Sequence, residues 1–315
     1  MIKYFLTGPD GALSSADVPA PGGWISLVAP TEEELLYVSR QQALEMDVLK
    51  AALDLDERSR IDADEDYTMV LVNIPTVEEQ TDIELYSTIP LSVIIAGDSI
   101  ITVCSEDSPI IRSFEQGKVK DFRTYMKSRF ILQLLYRTAT IYLQFLRIIE
   151  RKTDEVEDKL YKSTQNRELI ELLKLEKSLV YFTTALRSNE VVLEKLLRTE
   201  LIKKYPEDSE LLEDVIVENK QAIEMASIYS GILSETRDAF SSVISNNQNI
   251  VMKVLAIVTI VMSIPTMIFS AYGMNVYTGS MPFSQHPHAF VIIIAISILI
   301  SVVIALFFSK KDMFK

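Results

Sequence analysis

The spacing of apolar residues changes twice along this chain, and each change predicts a different kind of element. Before about residue 120, apolar residues come in short runs rich in β-branched side chains. Residues 24–28, 68–74, 92–95 and 99–104 read as strands, and Pro19, Pro21, Gly22, Gly23 and Pro30 mark loops. Thr31 and Glu34 have the spacing of a capping box, in which each side chain accepts from a backbone N–H near the other, so a helix is predicted to start at Thr31. After about Val119 the pattern lengthens. Residues 120–205 contain neither Pro nor Gly and are rich in Leu, Ile, Glu, Lys and Arg, as long helices require. Residues 163–166 read as the turn between two antiparallel helices, and Pro206-Glu207-Asp208-Ser209 opens another. Only Gly231 interrupts between there and Pro265. About 58 residues can therefore run as one helix of roughly 85 Å.

The third regime lies at the C-terminal end. No Asp, Glu, Lys or Arg occurs between Lys253 and Lys310. Within that stretch, residues 254–272 and 289–308 are apolar runs of 19 and 20 residues. At ~1.5 Å per residue, ~20 residues match a ~30 Å hydrocarbon core. The 16 residues between them make the two spans a hairpin, with both termini on one side. The predicted architecture is α+β: an N-terminal mixed α/β domain (1–120), a long helical stalk (121–248) and two C-terminal transmembrane helices (249–315).

Charge sharpens this picture. The chain carries −13; residues 249–315 hold four lysines and one aspartate, hence +3, so the first 248 residues carry −16. A domain of that charge attracts cations and repels nucleic acid. Lys253, Lys310 and Lys311 flank the spans while the connecting loop has no lysine or arginine, which places both termini and the acidic domain in the cytoplasm by the positive-inside rule. Residues 1–13 lack an apolar stretch long enough for a signal peptide. The single cysteine, Cys104, fits a reducing compartment and a buried strand position.

One face of the first span differs from the rest. Alternating steps of three and four give Glu235, Asp238, Ser242, Ser245, Asn249, Met252, Ala256, Thr259, Ser263, Thr266 and Ser270. A period of 3.5 holds one face toward a bundle axis. Small and hydroxyl residues gain nothing from lipid, so this face points at protein or water. A plain packing seam is one reading, with the hydroxyls bonding back to their own helix. Two features favour a pore. The stripe continues beyond the span as polar and acidic residues, and the second span has its own small face at Ser297, Ser301 and Ala305 for helix contact. One pore-lining helix per chain requires several copies about an axis.

Tyr272-Gly273-Met274-Asn275 at the end of the first span, together with Asn249-x-x-Met252-Lys253-Val254-Leu255, resembles the CorA family of divalent-cation channels. Trp24-Ile25-Ser26-Leu27 and Pro30-Thr31-Glu32-Glu33-Glu34-Leu35 are further family-like stretches. The resemblance implies a homopentamer in the cell (inner) membrane, carrying hydrated Mg2+ (or Co2+ or Ni2+) with no other cofactor. It assigns ion selection to Gly273, Met274 and Asn275. Here Gly273 would allow a sharp helix end without a Cβ clash, and Asn275 would offer carbonyls to the ion's waters. Pore-lining residues would be Asn249, Met252, Leu255, Ala256, Thr259, Ser263, Thr266 and Ser270, with Met252 and Leu255 as an apolar constriction. Glu235 and Asp238 would concentrate cations at the inner mouth. The family's regulatory metal sites map onto Asp214 with Glu78 or Glu79. The chain departs from the family in having no acid at residues 276–288, where His286-Pro287-His288 stands instead; two imidazoles can hold Zn2+, Co2+ or Ni2+.

Other readings are a zinc transporter of the same fold, which Met274 disfavours, and a non-conducting membrane-anchored scaffold or sensor. The chain has no G-x-x-x-x-G-K-[ST], H-E-x-x-H, C-x-x-C or G-x-G-x-x-G, so enzymatic activity and nucleotide-powered transport are not expected.

Overall fold

The structure is a computed structural model that describes residues 1–78, 85–162, 166–198, 206–277, 279, 281–283 and 286–310. The chain falls into two compact units, Met1–Arg237 and Asp238–Lys315.

The first unit is built on a seven-stranded sheet. Its strands are β1 (Ile2–Thr7), β2 (Leu13–Ala16), β3 (Trp24–Val28), β4 (Arg60–Ala63), β5 (Tyr67–Glu78), β6 (Leu85–Ala96) and β7 (Ser99–Cys104), in the order β2-β1-β3-β7-β6-β5-β4. Only β3 and β7 pair parallel; the other neighbours are antiparallel. All four predicted strands are present. The 68–74 and 92–95 segments are the middles of two 12-residue strands, β5 and β6. Gly97 and Asp98 form the two-residue turn from β6 to β7, and Gly97 adopts φ +51° there, a conformation that costs glycine little.

Successive side chains of a strand point to opposite faces, so the sheet has two cores. On one face, Ile25, Leu27, Leu71, Ile94, Ile101 and Val103 pack with Leu35 and Val38 of α1 (Glu32–Gln42) and Leu49 of α2 (Met46–Lys50). The predicted capping box is complete: Thr31 Oγ1 accepts from Glu34 N–H at 3.2 Å, and Glu34 Oε2 accepts from Thr31 N–H at 2.8 Å. On the other face, Trp24, Val70, Val72, Leu91 and Ile100 meet Phe114 of α3 (Pro109–Glu115), Phe130 and Ile131 of α4 (Lys127–Lys162), Val192 of α5 (Asn166–Arg198) and Leu212 of α6 (Pro206–Tyr272). The helices after residue 120 thus share a core with the sheet. Of the predicted turn at 163–166, residues 163–165 lie outside the described residues.

The contact of α5 with the sheet uses a polar device. β4 pairs with β5 only up to Arg60 opposite Leu71. Just beyond, the Asn189 side chain acts as a substitute strand: its Oδ1 accepts from Asn73 N–H (2.9 Å) and its Nδ2 donates to Asn73 C=O (2.8 Å). Tyr142 Oη donates to the same carbonyl at 3.0 Å. The backbone polar groups of Asn73 are thereby paired where the neighbouring strand has ended.

α6 is one helix of 67 residues, longer than the predicted 58 because it runs through Pro265 to Tyr272. Within the first unit it buries Leu212, Val215, Ala222, Ala226 and Leu233. Tyr229 donates to Glu150 (2.8 Å), Thr236 to Glu157 (2.7 Å) and Arg237 to Glu176 (2.8 Å).

Candidate functional site

The second unit holds the end of α6 and α7 (Ala289–Lys310), two helices long and apolar enough to cross a membrane. The α6 face turned to α7 is apolar. Ile257 is buried, and Val261, Ile264, Pro265, Ile268 and Tyr272 are half-buried at helical spacing. From α7 the contact uses Ser297, fully buried, Ser301, nearly so, and half-buried Ala305. Small residues let two backbones approach closely where lipid gives no hydrophobic incentive to associate. The predicted small face of the second span is therefore the helix contact, and the first-span stripe is not part of it.

Pro265 explains one of these serines. Proline has no N–H, so the carbonyl four residues earlier, on Val261, loses its helical donor. Ser301 Oγ of α7 donates to that Val261 carbonyl at 3.4 Å. In a membrane an unpaired carbonyl has no water to turn to, and neighbouring hydroxyls commonly fill this role. The pattern Pro minus four opposite a span serine is the signal that sequence reasoning did not use.

The stripe lies on the remaining side. Asn249, Met252, Leu255, Ala256, Thr259, Ser263, Thr266 and Ser270 are all exposed on the single chain. Thr259 donates to Leu255 C=O (2.8 Å), Ser263 to Ile260 C=O (2.8 Å) and Thr266 to Met262 C=O (3.0 Å). Each hydroxyl proton is thus held by the helix, which leaves the oxygen lone pairs turned outward as acceptors. Val258, Thr259, Met262, Ser263, Thr266, Met267 and Ser270 line a shallow groove along this face.

At the end of α6, Gly273, Met274 and Asn275 are exposed. Gly273 N–H donates to the carbonyls of Phe269 (2.9 Å) and Ser270 (3.1 Å), and Met274 N–H to Ala271 C=O (3.4 Å). The expected reason for the glycine does not hold. Gly273 is not among the glycines with positive φ, and a Cβ there would meet its nearest atoms, the Phe269 and Ser270 carbonyl oxygens, at an ordinary 3.5 Å. Helical tightening ends the helix without left-handed backbone. What glycine provides at this position is the absence of a side chain on an exposed end.

After the motif, Tyr272 Oη donates to Pro282 C=O at 2.8 Å and ties the loop to the helix end. His286 and His288 are both exposed, with ring centroids 6.1 Å apart; His286 Nδ1 accepts from His288 N–H at 3.3 Å, leaving Nε2 as its outward nitrogen. In the first unit, Glu78, Asp214 and Glu235 are exposed, as is Asp238 at the start of the second. Glu79 lies outside the described residues. Among the described residues of one chain, no three His, Cys, Asp or Glu side chains converge as metal ligands.

The family description CorA-like Mg2+ transporter protein matches residues 22–311, almost the whole chain. The chain belongs to the CorA family. It is 28% identical over 297 residues to the cobalt/magnesium transport protein CorA of Methanocaldococcus jannaschii, covering 91% of this chain and 90% of that one. It is 23% identical over 270 residues to the protein of the same name from Thermotoga maritima, covering 84% and 75%. The complete structure of the Methanocaldococcus jannaschii CorA magnesium transporter superposes with a TM-score of 0.82 at 24% identity, covering 99% of this chain and 98% of that chain, which establishes the CorA fold. The mixed sheet, long helix and apolar C-terminal pair are the parts of that fold seen here.

Proposed function

We propose that this CorA family member is a channel for hydrated divalent cations, Mg2+ first, with Co2+ or Ni2+ as further substrates. The observation that carries this reading is the exposed hydroxyl stripe, on a first span whose contact with the second span uses other residues. Several copies, five by analogy with the family, would arrange that face around a water-filled axis. Mg2+ dehydrates reluctantly, so oxygen acceptors that bond to its water shell suit it better than a cage of carboxylates. Gly273, Met274 and Asn275 would form the selective outer mouth, Met252 and Leu255 an apolar gate, and Glu235 and Asp238 an acidic inner mouth. In this reading residues 1–120 sense metal, 121–248 transmit, and 249–315 conduct. Both termini lie in the cytoplasm, and the membrane potential drives flow at ~2.3 kcal/mol per charge per 100 mV.

Cysteine scanning tests the stripe. Cys104 is buried, and loss of hydration pushes its thiol up to about 12; the scan is made in a Cys104→Ser background so that no native thiol contributes. Cysteines at Thr259, Ser263 and Thr266 should react with a membrane-impermeant thiol reagent in the assembled protein, while one at Ile260, which is not part of that groove, should not. Equal labelling at Ile260 would favour the scaffold reading.

Regulation would come from divalent metal bound between subunits at Asp214 and Glu78 or Glu79. Metal stabilises whichever state binds it better. Millimolar Mg2+ on the cytoplasmic side should therefore lower flux and protect the first unit from protease, and Asp214→Lys should keep that protection in chelator. Identical protease sensitivity with Mg2+ and with chelator would remove Asp214 from the mechanism.

A further inference from the structure

A cavity of about 310 Å3 opens where the loop after α3 meets the start of α4 and the first turns of α6. Its lining includes Lys118, Lys120, Arg129, Gln133, Tyr136 and Arg137, with Leu211 of α6 at one side, and no Asp or Glu. Four cationic side chains around one small cavity run against the rest of this part of the chain, since the first 248 residues carry −16. Cations that merely balanced that charge would each sit beside a carboxylate. Among the described residues, only Arg129 has such a partner, through Nη1 to the exposed Glu207 at 3.2 Å.

The buried polar atoms point the same way. Nε of Arg129 and Nε of Arg137 are buried without a protein hydrogen-bond partner. Donors in that condition are unfavourable unless an acceptor arrives. A guanidinium offers Nε and Nη as a planar fork, which matches two oxygens of a phosphate. Gln133 supplies the complementary need. Its Nε2 donates to Lys120 C=O at 3.0 Å, which fixes the amide, and its Oε1 is buried without a donor. Bare phosphate would satisfy the arginines; a ligand that also carries hydroxyl groups would satisfy Gln133 as well. The cavity volume is at the small end for organic ligands, and the exposed Tyr136 ring is available to an organic moiety.

We propose that this cavity binds a small phosphate ester bearing hydroxyl groups, with Arg129 and Arg137 on the phosphate and Gln133 on a hydroxyl. None of its lining residues is among those proposed for conduction. Because Leu211 belongs to its wall, the bound ester would brace the beginning of α6 against α4. The phosphate ester can be a free metabolite or a lipid headgroup, and the experiment separates the two.

The test uses the full chain in nanodiscs, in chelator at low ionic strength, with isothermal calorimetry of ribose 5-phosphate, AMP and inorganic phosphate. In phosphatidylcholine discs, saturable binding of the two esters is expected, tighter than that of inorganic phosphate. Arg137→Gln and Arg129→Gln should each weaken it on the order of tenfold or more, and Arg137→Lys by less, because charge remains while the fork is lost. Gln133→Leu should erase the preference for esters over inorganic phosphate. Loss of ester binding when phosphatidylglycerol replaces the neutral lipid would identify the headgroup as the occupant and still support the site. A melting temperature near that of the parent shows that each variant folds; if Arg129→Gln does not, Arg137→Lys carries the test. No saturable binding of any of the three, or unchanged binding by Arg137→Gln, overturns the proposal. So does an Arg137→Gln variant whose only defect is loss of the oligomer, since the cavity would then serve an acidic side chain of a second copy.

Discussion

Asn275→Ala is expected to abolish divalent uptake while leaving the oligomer intact. Asn275 is exposed just past the end of α6, and in the proposed outer mouth its amide oxygen would be a neutral acceptor for the waters of a hydrated cation. The substitution removes that oxygen without adding bulk. Each lost hydrogen bond costs about 1 kcal/mol, so losing two of a ring on one ion already slows entry on the order of tenfold or more. The helix end itself is held by the N–H groups of Gly273 and Met274, not by the Asn275 side chain, so folding should be unaffected. Radiotracer or dye-based Mg2+ uptake, with size-exclusion chromatography for assembly, reads both parts. Parent-like uptake by the variant would remove Asn275 from the filter.

The largest effect on stability is expected at Trp24. Trp24 is fully buried, and its indole Nε1 donates to Thr102 Oγ1 at 2.9 Å. Its ring stacks on Phe5 at 4.8 Å and meets Phe130 at 5.2 Å and Phe122 at 5.9 Å edge-on. These residues come from β1, α4 and the loop before α4, so one side chain joins the sheet to the helices that follow it. Trp24→Ala leaves a cavity and an unpaired Thr102 hydroxyl, for a loss of about 3–5 kcal/mol. Thermal denaturation followed by circular dichroism should show a large drop in midpoint, or no folded protein. A shift within that of a surface substitution would mean the aromatic cluster is not the centre of this core.

The parts of the fold legible in the sequence were those with strong periodicity. The charge-free runs, the capping box at Thr31 and Glu34, and four of seven strands follow directly from spacing and turn residues. β1, β2 and β4 were not anticipated. β2 and β4 have four residues each, and β2 at the sheet edge is half-exposed or exposed throughout, so neither carries a clean alternation. The full lengths of β5 and β6 are harder to read, because each contains a proline, Pro75 and Pro90, and proline is unusual in a strand interior. Pro90 is tolerated because β7 pairs with β6 only from Leu91 onward. The contact face of the second span was legible because Ser297, Ser301 and Ala305 are spaced by four. The link from Ser301 to Val261 was not, since it depends on how two helices meet. Nor was the basic cavity, whose cations come from a loop and from one side of α4 and form no run in the sequence.

Ion flux into liposomes tests the channel reading most directly. Purified full-length protein, reconstituted with an inside-negative potential, is offered Mg2+, Co2+, Ni2+ and Zn2+ in turn. A divalent ion gains about 4.6 kcal/mol per 100 mV, so entry should rise steeply with the potential. The expected result is Mg2+ entry that depends on the potential, is lost in Asn275→Ala and falls when Mg2+ is preloaded on the side of the acidic domain. Flux of all four ions no greater than in protein-free liposomes, from protein that is folded and oligomeric, would contradict it.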